Sequence, residues 1–216
     1  MDSTSRIRSI SLVLTFVAGF CDTVTFVAAD ELFSAHVTGN FIVLAYDLVS
    51  HTDTQAWLKL LTFPVFIMAV MTGRWIVKQL PTTYILIQIE GVLLVSCGAL
   101  SFVQTTDSWL QNFISMLIVF ALGLQNAFGR LYSQQTYGPT TVMTGTVTQA
   151  ALDVADLVPP SQIDSGKQES LKKQSIMIVG FLTGCLLGAF TAKLAGLGVV
   201  FFPGALLLIL FPKLAK

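Results

Sequence analysis

Six stretches of this chain are apolar over the length that a bilayer demands. They run approximately over residues 10–29, 58–77, 82–103, 110–129, 175–195 and 197–211. A hydrocarbon core about 30 Å thick takes roughly 20 such residues in helical form. The last stretch is short and contains Pro203. Composition agrees with the pattern. Of 216 residues 54% are hydrophobic and 11% are charged, against roughly a quarter charged in soluble domains. That is too little polarity to cover a water-facing surface. A soluble enzyme, a disordered tail and a basic nucleic-acid binder are therefore disfavoured. Net charge is zero, and Cys21, Cys97 and Cys185 all lie in apolar runs with no disulfide framework or metal-ligand spacing. The reading is an all-α, polytopic membrane helix bundle forming one domain over 1–216.

Two further segments, 37–50 and 144–158, are helix-like but only about 14 or 15 residues long, a length that suits re-entrant or buried helices better than spans. Residues 159–170, with two prolines, Ser, Gly and mixed charge, read as the one clear solvent-exposed linker. Arg6 and Arg8 before an apolar run suggest a signal peptide. The run is long for one, however, and a related segment recurs mid-chain.

That recurrence extends along the chain. Phe16-Val-Ala-Gly19-Phe-Cys-Asp22 aligns with Phe120-Ala-Leu-Gly123-Leu-Gln-Asn126. Val37-Thr38-Gly39-Asn40 aligns with Met143-Thr144-Gly145-Thr146, Asp47 falls on Asp153, and Thr72-Gly73 aligns with Thr183-Gly184. The shared order and nearly constant offset read as a duplication, with repeat one over 9–103 and repeat two over 108–212. If both short segments cross, the halves are parallel; if both dip and return, they are inverted. Cytoplasmic flanks collect Lys and Arg. With the dipping arrangement and both termini cytoplasmic, ten basic residues lie inside and only Lys59 and Lys193 outside. With all segments crossing, the division is eight to four. Six spans, two re-entrant half-helices and two inverted repeats follow.

The blocks Gly19-Phe-Cys-Asp22 and Ser34-Ala-His36-Val-Thr38-Gly39-Asn40, with the later Gly123-Leu-Gln125-Asn126 and Thr144-Gly145-Thr146, resemble the signature of the YoaK family of bacterial integral membrane proteins, which carry a domain of unknown function. The resemblance covers nearly the whole chain, and the His-x-Thr-Gly-Asn block is its most specific part. It implies a polytopic protein of about this length in a bacterial cytoplasmic (inner) membrane, and it supplies no substrate or catalytic residue. Cys21 departs from the bulkier residue expected beside Asp22.

Chemistry must then come from the residues. Irregular backbone at membrane depth is tolerated only where protein covers it or water lines it. Thr38 and Thr144 read as N-caps, with Gly39 and Gly145 allowing close approach. The two helix N-termini would then meet at mid-membrane and offer free amides to an anion. Thr38, Gly39, Asn40, Thr144, Gly145, Thr146, His36 and Asn126 are the expected solute contacts, although Thr-Gly pairs also serve plain helix packing. Asp22 and Glu90 are lone carboxyls inside apolar spans, expensive there and by default functional. Either could carry a proton or merely hydrogen-bond a neighbour; Asp22 is the preferred carrier, because its repeat mate Asn126 is similar in shape but uncharged, and Glu90 the second choice. His36 is read as a gate or ligand contact, or as an imidazole satisfied by a carbonyl.

Thr146, Gln149, Asp153 and Asp156 form one polar stripe opposite Val147, Ala151, Val154 and Val158. It reads either as the wall of an aqueous passage or as a surface helix face. Gly180, Gly184, Gly188, Ala192 and Gly196 make a small-residue stripe against a neighbour in the same chain or in a second copy. No nucleophile elbow, phosphate loop, zinc motif or dinucleotide fingerprint is present, so neither an enzyme, a cofactor nor a metal is expected. The expected function is a secondary transporter of a small anionic solute, coupled to protons, working by rocking about a central site. A channel with the same site and a non-transporting scaffold or accessory subunit are the alternatives. Lipid, solute and protons are the expected partners, with the Gly180, Gly184 and Gly188 face open to a homo-oligomer and no nucleic acid.

Overall fold

Hydroxyls inside an apolar helix need an acceptor that does not break it, and the first helix supplies one from its own backbone. In the computed structural model, which describes residues 3–50, 56–80, 82–103, 108–157 and 165–214, α1 runs over Ser3–Ala28. Its Ser11, Thr15 and Thr25 each donate to the carbonyl four residues back, a bond that leaves the ladder intact. The remaining helices are α2 (Gly39–Ser50), α3 (Trp57–Gln79), α4 (Ile85–Val103), α5 (Ser108–Leu131), α6 (Thr144–Asp156), α7 (Ser165–Ala195) and α8 (Phe201–Leu214). Short 3-10 turns stand at Ser133–Gln135 and Gly196–Val200, and there is no strand among the described residues.

Five stretches of the described residues are long and apolar enough to cross a bilayer: Ser3–Ala28, Trp57–Gln79, Ile85–Val103, Trp109–Leu131 and Ser165–Lys213. The fifth takes in both α7 and α8. The run read from sequence as 197–211 therefore begins as a 3-10 turn, because Gly196 adopts a positive φ of 61° that stops α7. The linker read as 159–170 is shorter than expected. Residues 158–164 lie outside the described residues, and Ser165 to Ser170 already form the first turns of α7.

Three helix pairs make the bundle: α1 on α7, α3 on α5 and α4 on α8. Each is drawn together at glycine. A Cβ on Gly184 would stand 2.2 Å from the Phe16 carbonyl oxygen of α1, and one on Gly188 would stand 2.6 Å from that of Phe20. Gly123 meets Ala69 in the second pair, and Gly91 faces Gly204 in the third. Without a hydrophobic drive between helices in lipid, such close backbone contact is what holds them. The stripe of Gly180, Gly184 and Gly188 is thus filled by α1 of the same chain. A homo-oligomer through those glycines has no surface left to use.

The chain reverses sharply after α1. Asp30 and Glu31 both take left-handed backbone, at φ of 55° and 56°, a conformation that costs roughly 1–2 kcal/mol per non-glycine residue. Nearby, Lys59 at the start of α3 is buried. Its Nζ donates to Asp30 at 2.7 Å and pairs with Asp47 of α2 at 3.1 Å. One cation therefore ties the end of α1, the last turns of α2 and the beginning of α3.

The packing makes a direct stability prediction. Gly184→Ala forces a Cβ into backbone and should destabilise the chain by about 1–3 kcal/mol. Gly145→Ala, where nothing lies within 4 Å, should leave the melting temperature in detergent unchanged.

Candidate functional site

Residues 29–38 leave α1, turn back and lie against it. Their backbone donors need partners in a place without water, and Asp22 provides them. Its Oδ1 accepts from the Ala35 amide at 2.7 Å and from the His36 amide at 3.3 Å, while Oδ2 meets His36 Nδ1 at 2.6 Å. Asn40 closes the other end. Its Oδ1 accepts from the Phe33 amide, and its Nδ2 donates to the Phe33 carbonyl and to Thr62 Oγ1 of α3. The side chain at the tip of α2 is thus engaged with protein, and Asn40 is fully buried. Thr38 stands just ahead of α2, exposed. A cavity of about 550 Å3 opens beside this hairpin, lined by Asp22, Phe26, Phe33, His36, Gly39 and Phe181. The imidazole sits edge-on to Phe33 and Phe181, with centroids 6.4 and 5.7 Å away. Since Nδ1 faces Asp22, Nε2 is the polar atom the ring has left for the cavity.

Segment 132–143, ahead of α6, is held in a similar way by neutral groups. Gln125 Nε2 donates to the Leu14 carbonyl at 2.9 Å and to Thr140 Oγ1 at 2.8 Å. The Thr141 hydroxyl donates to Asn126 Oδ1 at 2.7 Å, and the Tyr137 amide donates to Ser11 Oγ of α1 at 2.9 Å. Segment 132–143 is thereby fastened to α5 and α1. A cavity of about 510 Å3 lies beside it, lined by Asn126, Arg130, Thr136, Thr141, Gly145 and Thr146 among others. The first amides of α6 have no intrahelical acceptor, and Arg130 is the one charged side chain in the lining. Thr144 is not the cap read from sequence. The cap position is Met143, with no side-chain bond, and Thr144 is the first helical residue.

The expected solute residues therefore come together in two groups rather than one. His36 and Gly39 line the first cavity, with the expected proton carrier Asp22; Asn126, Gly145 and Thr146 line the second; Thr38, Asn40 and Thr144 line neither, and no residue is shared. Helix α2 packs on α3 and α6 packs on α7. The two hairpins grip α1 at Asp22 and at Ser11 to Leu14, eight to eleven residues apart, which is roughly 12–16 Å along a helix. Two separate cavities stand where the sequence reading expected one shared pocket. Glu90 lies in neither cavity. It is fully buried in α4, and both carboxyl oxygens lack a hydrogen-bond partner.

The polar stripe of α6 faces α7 rather than a passage. Asp153 accepts from Gln149 at 2.9 Å and from Gln174 at 3.1 Å, and Asp156 pairs with Lys167. Val147, Leu152 and Val154 face outward. Sequence reasoning missed Gln125, Thr140, Thr141, Arg130 and Lys59 as site residues. The first stands in the repeated block beside Asn126, and the run of hydroxyls over 133–141 was the signal for the next two.

A family model described as Protein of unknown function (DUF1275) matches residues 10–212. The chain belongs to that family, the YoaK-type one its repeated blocks resemble. No curated protein and no solved structure matches it.

Two outcomes follow from these contacts. Asp22→Ala leaves the Ala35 and His36 donors without an acceptor, at about 1–3 kcal/mol for each group, so amides over 33–38 should exchange faster with deuterium while those of α4 and α8 do not. Hydrogen bonds from Ser170 first, then Gln149, hold the Asp153 carboxyl below its ordinary range. A depressed carboxyl stabilises the fold above the unfolded value near 3.9 and loses that contribution as pH falls through the folded one. Exchange in α6 should therefore accelerate on acidification below about pH 4, and Asp153→Asn should remove that acid dependence.

Proposed function

Taking family membership as premise, we propose that this chain is a secondary carrier for a small anionic solute. The observation that carries the reading is the cavity at the tip of α6, with Arg130 as its one charged lining residue and Gly145 and Thr146, whose amides have no intrahelical acceptor, in its wall. A helix N-terminus, an arginine and several hydroxyls suit a carboxylate or an oxyanion. Its volume of about 510 Å3 lies within the usual range for small-molecule sites. The solute contacts are then Asn126, Gly145 and Thr146, expected from sequence, with Thr141 and Arg130 added. Thr38, Gly39, Asn40 and His36 belong to a second hairpin that frames the opposite half.

We read the membrane topology as six spans with two re-entrant segments and two halves in inverted relation. The stop at Gly196 favours counting α7 and α8 separately. The ion cluster Asp30–Lys59–Asp47 favours entry and return of 29–50 on one face, since it joins the chain before and after the excursion. The duplication is supported by matched bonding: Asp22 with residue 35 in one half, Asn126 with residue 141 in the other. It is supported as well by the matched pairing of α1 with α7 and α5 with α3. Rocking of one half against the other would expose the cavities to opposite sides in turn. The bacterial inner membrane and cytoplasmic termini remain part of this reading, resting on the basic-residue count.

Two measurements test it. In vesicles containing the purified chain, uptake of small carboxylates, phosphate and sulfate should include at least one saturable flux that shows counter-flow, and Arg130→Gln should raise its KM at least tenfold. A flux without saturation or counter-flow would indicate a channel, and no flux of any of these anions would leave a scaffold. Single cysteines at Phe41 and Val49 should be labelled from the same side of the membrane; labelling from opposite sides would overturn the re-entrant topology.

A further inference from the structure

Asp22 and Glu90 share the sequence signature of an intramembrane carboxyl, yet their surroundings differ completely. Asp22 accepts two backbone amides and faces an imidazole; its geometry is that of a pin for residues 35 and 36. Glu90 is 0% exposed, and neither oxygen has a donor within reach. It stands one residue from Gly91, where α4 crosses α8 so closely that a Cβ on Gly91 would lie 3.1 Å from the Gly204 carbonyl oxygen. No charge compensates it. The buried Cys21 thiol of α1 lies near it and near Cys97, which is on α4 itself. The charged groups of α3 are Lys59, engaged with Asp30 and Asp47, and the exposed Arg74 and Lys78. Helix α5 carries only the exposed Arg130, α8 only Lys213 in its last turn, and the 196–200 turn none. On α1 the charged groups are Arg6 and Arg8 at its start and Asp22, which is engaged with residues 35 and 36. A carboxylate requires donors or a cation, and this place offers neither. A neutral acid fits it.

We infer that Glu90 is a single-proton site buried beside the α4–α8 crossing, loaded in this conformation and emptied only when water or a cation reaches the crossing. The inference deepens the carrier reading by assigning the coupling proton to Glu90 and a positioning role to Asp22. In the loaded state the acid sits among apolar side chains and the two helices stay closed. Proton release leaves a charge that the closed crossing cannot solvate, so release and separation of α4 from α8 occur together.

Infrared difference spectroscopy on the purified full chain in lipid vesicles tests the site without any solute. At neutral pH the wild type should show the carbonyl band of a protonated carboxylic acid. Glu90→Gln should lose the band entirely, and Glu90→Asp, which keeps the carboxyl, should retain it. Glu90→Gln mimics the neutral acid and should melt at or above the wild-type temperature; at alkaline pH the wild type should lose melting temperature and this variant should not. A band that survives unchanged in Glu90→Gln, or a Glu90→Gln variant markedly less stable at neutral pH, overturns the proposal, as either means that the group was ionised and partnered. Should vesicles carry no anion flux while the band follows Glu90, the carrier reading fails and the proton site stands. Should flux occur with the same pH dependence in wild type and Glu90→Gln, the coupling role fails and the carrier reading stands.

Discussion

Lipid offers no hydrogen bonds, so any non-helical backbone at membrane depth must find its partners in the protein. Segments 29–38 and 132–143, outside the long helices, have their backbone and side chains tied by a small set of groups: Asp22 and Asn40 for the first, Gln125, Asn126 and Ser11 for the second. Both cavities lie against these segments, and both exist because the chain there is not helical. Continuous helices through the same positions would satisfy their own amides and fill the space with side chains. The polar residues that look like a binding site from sequence are thus partly the scaffolding that makes a site affordable, and the solvent-facing chemistry passes to their neighbours.

Helix α1 is the shared spine of the two hairpins. Gly19 approaches the Phe181 carbonyl of α7, and Gly184 approaches that of Phe16, so the pair is locked by backbone rather than by flexible side chains. One hairpin grips α1 at Asp22 and the other near Ser11 and Leu14. Both pins therefore stand on one helix that is itself locked to α7. Interfaces packed this tightly switch between discrete arrangements instead of deforming smoothly.

Much of the fold was legible because bilayer thickness fixes helix length and glycine periodicity marks close crossings. Runs 10–29, 58–77, 82–103 and 110–129 became α1, α3, α4 and α5. The duplicated blocks picked out Asp22, His36, Asn126 and Gly145 as residues of the two hairpins. What the sequence could not give was which hydrogen bond each would make. Asn40 reads as a ligand contact until Phe33 is seen folded onto it, and Asp153 reads as a channel wall until Gln174 of α7 faces it. Lys59 entered the sequence reading only as a basic residue on the outer side of the membrane, since its partners Asp30 and Asp47 are 29 and 12 residues away and nothing local links them. The merging of two half-sites into one failed for a similar reason: a repeat specifies each half, while the distance between halves depends on packing spread over the whole bundle.

The halves differ in the strength of what holds them. The first carries Lys59 on Asp30 and Asp47, beside the Asp22–His36 contact. The second uses Asn126 on Thr141, Gln125 on Thr140, and Asp153 on two amide side chains. Separating buried ionic partners strands a charge, whereas neutral amides and hydroxyls can exchange one partner for another or for water at small net cost. The more polar of the two cavities lies against segment 132–143, which neutral side chains hold, and the more apolar one lies against segment 29–38, beside Asp22, His36 and the rings of Phe33 and Phe181.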